Sequence, residues 1–91
     1  MRVLVIQTAY LGDVILTVPL ISMLGASPRV SELAVVASPP GSLFLEGQRI
    51  ADRVLTYDKR GVDRGAAGLV RLLREVRSLR PDVALVPHRS F

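Results

Sequence analysis

Three features of the sequence predict an α/β fold built on a parallel sheet. Short runs of β-branched residues and leucine alternate with longer apolar segments, in the order β-α-β-α-β-α-β. No hairpin turn signal joins any two of the short runs, so successive strands need crossover connections. The first run, Val3-Leu4-Val5-Ile6, is apolar at every position, the pattern of a strand covered on both faces.

That first run predicts a central strand. Gly12-Asp13 then opens an apolar segment that includes Val14, Ile15, Leu16, Val18, Leu20, Ile21 and Leu24 and closes at Gly25 and Pro28. It is too long for a strand and reads as a helix. Pro19 lies inside it and lacks an N–H, which predicts irregularity in mid-helix. Residues 32–37 give the second strand, ended by Ser38-Pro39-Pro40-Gly41, and a short helix follows over 42–49. Residues 53–57 give the third strand. From Asp63, which fits a helix cap, Ala66, Leu69, Val70, Leu73 and Val76 recur at helical spacing and predict the buried face. Arg71, Arg74, Glu75 and Ser78 take the opposite, solvated face. Pro81 stops this helix once Arg77 and Arg80 have met its negative end. Residues 83–86 give the fourth strand. Right-handed crossovers between such strands make a Rossmann-like parallel sheet. The sequence reaches Phe91 one short loop after the fourth strand, so residues 1–91 are expected to be a fragment of one amino-terminal Rossmann-like domain. The uncovered face of the sheet predicts self-association.

Composition narrows the function. The 91 residues are 49% hydrophobic and 22% charged, without Cys and with a single His. The absence of Cys removes thiol chemistry and Cys-based zinc sites, and one His makes neither a metal cluster nor a Ser/His/Asp triad. The net charge is +4, carried almost wholly by Arg, with Lys59 the one lysine. Arginine suits bidentate contacts to phosphate and carboxylate. The aromatics Tyr10, Phe44, Tyr57 and Phe91 are not interleaved with Arg, so base-stacking platforms for nucleic acid are few. A phosphorylated small molecule or a lipid headgroup fits the charge better. Gln7 and Asp13 interrupt the early apolar sequence, which speaks against a secretory signal, and the uninterrupted segment falls far short of the roughly 20 residues that span a bilayer. A cytoplasmic chain is expected.

The chemistry concentrates where strands end. Thr8-Ala9-Tyr10-Leu11-Gly12-Asp13 joins the first strand to its helix, the place where open α/β sheets hold ligands. Its single glycine does not meet the three-glycine dinucleotide fingerprint, and no Gly-Lys-Ser/Thr phosphate loop is present. Asp13 reads either as a first-turn helix acid or as a general base, a helix amino end favouring negative charge at this position. Thr8 can support it through its hydroxyl, and Gly12 lets a substrate approach the backbone. Lys59, Arg60 and Arg64 put three cations after the third strand, on the same sheet edge, as a solvated loop or an anion site. His88 and Arg89, after the fourth strand, are further candidate substrate contacts.

The Thr-x-x-Leu-Gly-Asp turn, residues 8–13, and the proline-bearing helix after it resemble the start of glycosyltransferase family 9, the ADP-heptose:lipopolysaccharide heptosyltransferases. Arg80-Pro81-Asp82-Val83-Ala84 and Pro87-His88-Arg89-Ser90-Phe91 are similar to the heptosyltransferase II branch. The resemblance implies a GT-B enzyme of two Rossmann-like lobes. The amino-terminal lobe, to which this chain would contribute, holds the acceptor, and a carboxyl-terminal lobe absent from it binds most of the donor, ADP-heptose. It also implies inverting, metal-independent transfer with no cofactor other than the sugar nucleotide. Asp13 would be the base, and Lys59, Arg60 and Arg64 would hold an anionic, lipid-linked inner-core acceptor at the inner membrane face. Gln7 and Tyr10 have no place in that pattern. A non-catalytic ligand-binding or protein-binding module on the same sheet is the alternative.

Overall fold

The computed structural model describes residues 1–8, 11–58 and 65–86. The chain folds as β1 (Arg2–Gln7), α1 (Leu11–Ala26), β2 (Glu32–Ala37), α2 (Gly41–Gln48), β3 (Arg53–Thr56), α3 (Gly65–Leu79) and β4 (Val83–Leu85). The four strands form one parallel sheet in the order β3-β2-β1-β4, the predicted class, with β1 inside the sheet.

Alternation along the strands divides the core into two. Val3 and Val5 of β1 with Leu33, Val35 and Ala37 of β2 face one side, where Val14 and Ile21 of α1 and Leu45 of α2 cover them. Leu4, Ala34, Val36 and Leu55 face the other, where Leu79 of α3 joins them and Leu72 and Val76 pack alongside. Each face of β1 and β2 therefore has its own helical cover, which is why both strands are apolar at nearly every position.

The amino edge of the sheet is locked by two aspartates in equivalent places. Asp52, just before β3, donates its N–H to the Leu33 carbonyl, and the Leu33 N–H donates to Asp52 Oδ2 at 2.6 Å. Asp82, just before β4, repeats the pair on Arg2, whose N–H donates to Asp82 Oδ2 at 2.7 Å. Both carboxylates are thus committed to strand pairing at the end of the sheet opposite the Gly12-Asp13 turn.

Two local expectations are corrected. Helix α1 runs without interruption through Pro19. Proline removes the N–H that would reach the Ile15 carbonyl, but Ile15 and Pro19 lie on the exposed side, where water can satisfy that oxygen. In α3 the inward residues are Gly68, Leu72, Val76 and Leu79, whereas Leu69, Val70 and Leu73 are about half exposed, at 47%, 48% and 52%. The buried stripe is therefore turned from the one that counting apolar residues selects. The basic face behaves as expected: Arg71 pairs with Glu75 and also donates to the Thr56 carbonyl, and Arg74 and Arg77 are exposed. Asp63, the expected cap, lies outside the described residues. Exposed Leu69, Val70, Leu73, Val83 and Val86 leave apolar surface around α3 and β4.

Candidate active site

The crossovers from β1 to β2 and from β2 to β3 step one way along the sheet, and the crossover from β3 to β4 returns past β1 to its other side. The strand order therefore switches between β1 and β4. In an open parallel sheet the crevice outside the carboxyl ends of the strands at such a switch is where ligands bind. The turn that leads into α1 stands at this point.

Asp13 lies in the first turn of α1 and is partly exposed. Among the described residues no side chain pairs with its carboxylate. Gly12 is exposed, and a Cβ built on it would meet nothing within 4 Å. Thr8, just past β1, is partly buried. Thr8, Gly12 and Asp13 thus lie at one end of β1. Lys59, Arg60, Arg64, His88 and Arg89 lie outside the described residues.

Two polar residues that the sequence reading did not assign to the site support it from below. Gln7 and Thr17 are buried, and Gln7 Nε2 donates to Thr17 Oγ1 at 3.1 Å. Thr17 Oγ1 in turn donates to the main-chain carbonyl of Asp13 at 2.8 Å. A polar residue ending an otherwise apolar strand, with a threonine four positions after the aspartate, is the signal by which they could have been found.

The start of α2 closes on the same turn. Gly41 is buried, and a Cβ there would fall 2.7 Å from Val14 Cγ2, the side chain next to Asp13. Gly41→Ala is expected to cost about 1–3 kcal/mol through overpacking. Val14→Ala in the same chain should recover part of that loss, so a double-mutant cycle by chemical denaturation should give a sum smaller than the two single effects. Additive effects would show that the two helices do not press on each other here.

Comparison with known proteins bears on what this turn serves. No family model and no curated protein matches the chain. A solved structure does: the glycosyl transferase family 9 protein from Veillonella parvula DSM 2008, with a TM-score of 0.77 and 27% sequence identity over 96% of this chain. The likeness is to a glycosyltransferase, in fold and in sequence. The chain spans 26% of that glycosyltransferase's length. The α/β architecture and parallel sheet are those of this glycosyltransferase neighbour. Among the described residues no helix is long and apolar enough to cross a membrane, and no cluster of His, Cys, Asp and Glu suits a metal ion.

Proposed function

We propose that this chain forms the acceptor-side part of an inverting, metal-independent glycosyltransferase that moves heptose from ADP-heptose to a lipopolysaccharide inner-core acceptor. The observation that carries the reading is the partly exposed Asp13 carboxylate, unpaired among the described residues, beside the open backbone of Gly12, at the strand-order switch of a fold similar to a family 9 glycosyl transferase. Asp13 takes the proton of an acceptor hydroxyl as that oxygen attacks the anomeric carbon of the donor. The bond from that carbon to the diphosphate oxygen breaks, its electron pair leaves with ADP, and the configuration inverts. A positioned base of this kind supplies about 10² to 10⁴ in rate.

Thr8 and Gly12 border the approach. Lys59, Arg60 and Arg64 neutralise anionic groups of the acceptor, where arginine forks match phosphate and carboxylate oxygens, and His88 and Arg89 add contacts to it. The sugar nucleotide is bound mainly by a second lobe outside these 91 residues, and no cofactor besides that donor is required. The lipid-linked acceptor places the work at the cytoplasmic face of the inner membrane.

The test is ADP release from ADP-heptose by the full-length protein in the presence of an inner-core acceptor. Transfer is expected from the full-length protein and none from residues 1–91 alone, since one lobe cannot build a two-sided site. Absence of transfer by the full-length protein, or transfer by the 91 residues alone, would overturn the reading.

A further inference from the structure

We infer that Gln7 and Thr17 form a positioning pair that sets the direction in which Asp13 faces the crevice. The inference rests on Asp13 being the base. Gln7 is the last residue of β1 and Thr17 sits one turn beyond Asp13 in α1, and their exposures are only 7% and 6%.

The direction of the chain of bonds follows from proton counting. A threonine hydroxyl has one proton, and Thr17 commits it to the Asp13 carbonyl at 2.8 Å. Toward Gln7 it can then only accept, so Gln7 presents its amide NH₂, at 3.1 Å. The run passes from strand to helix: amide to hydroxyl, hydroxyl to the peptide of the proposed base.

The physical need for such a link comes from what the apolar core cannot do. Val14 and Ile21 hold α1 on the sheet, but apolar burial is non-directional, and a small roll of the helix about its axis changes the buried area little. Two buried polar groups are not indifferent to that roll, because parting them breaks a hydrogen bond in a low-dielectric interior. The link therefore fixes the roll of the first turn of α1 against the carboxyl end of β1. Threonine suits the middle place because its hydroxyl both accepts and donates, which valine of the same shape cannot do.

The experiment measures ADP release from ADP-heptose with an inner-core acceptor, and thermal melting, for variants of the full-length protein. Thr17→Val is expected to lower kcat by about tenfold to a hundredfold, the scale of misplacing a reacting group by an ångström or less. The KM for ADP-heptose should stay within about twofold, because the donor's binding contacts are untouched. Thr17→Ser, which keeps the hydroxyl, should recover most of the loss. Gln7→Met, which keeps length and burial but removes the donor, should lower kcat in the same direction and serves if Thr17→Val does not fold. Folded Thr17→Val and Gln7→Met variants that melt lower but turn over at the wild-type rate, alongside an inactive Asp13→Asn, would overturn this inference and leave the base standing. An active Asp13→Asn would overturn both.

Discussion

Asp13→Asn in the full-length protein is expected to lower the turnover number by about 10² to 10⁴, the contribution of a positioned general base, with melting temperature and acceptor binding nearly unchanged. The substitution keeps the size and planarity of the side chain and removes only its ability to take a proton. The structure gives the expectation of a spared fold: the side chain is partly exposed, and the hydrogen bond that ties residue 13 to the core uses its main-chain carbonyl, which asparagine retains. A base that acts only in the transition state should lower kcat and kcat/KM together. Wild-type turnover by Asp13→Asn would instead show that proton transfer does not run through this turn.

How far this site could be read from the sequence depends on which kind of information each residue carries. The parallel sheet was legible because Val3 to Ile6 of β1 and Leu33 to Ala37 of β2 are apolar at successive positions, and only coverage of both faces calls for that. The Gly12-Asp13 turn was legible because it falls where the pattern changes from strand to helix. The face of α3 was not. Counting apolar residues selected Leu69, Val70 and Leu73, but the helix turns Leu72, Val76 and Leu79 to the core and buries Gly68, whose lack of a side chain carries no hydropathy signal. Pro19 was overread in the same way, since the cost of a missing N–H depends on whether the orphaned carbonyl faces water, a property of the folded helix and not of the residue. Gln7 shows the limit most clearly. In the sequence it is a polar interruption at the end of a strand, and its meaning appears only once Thr17 is beside it, ten residues on, in the same buried spot.

Gly12 separates the demands of the fold from those of the reaction, and its substitution should move stability and activity in opposite directions. Glycine within a helix costs about 0.5–1 kcal/mol relative to alanine. Two structural reasons commonly retain it: a left-handed backbone or a close neighbour. Neither holds here, because Gly65 is the glycine with positive φ among the described residues, and a Cβ on Gly12 would meet nothing within 4 Å. Gly12→Ala is accordingly expected to gain about 0.5–1 kcal/mol of stability, read as a higher melting temperature. Gly12→Leu keeps good helix propensity but fills the open space next to Asp13, so it should fold as well as the alanine variant and lose about a hundredfold in turnover, since the acceptor hydroxyl can no longer come within reach of the base. A Gly12→Leu protein with wild-type turnover would show that the acceptor does not approach across this turn, and the site would then have to be sought on the other side of β1. Should both variants melt lower than the wild type, the glycine is there for the fold after all.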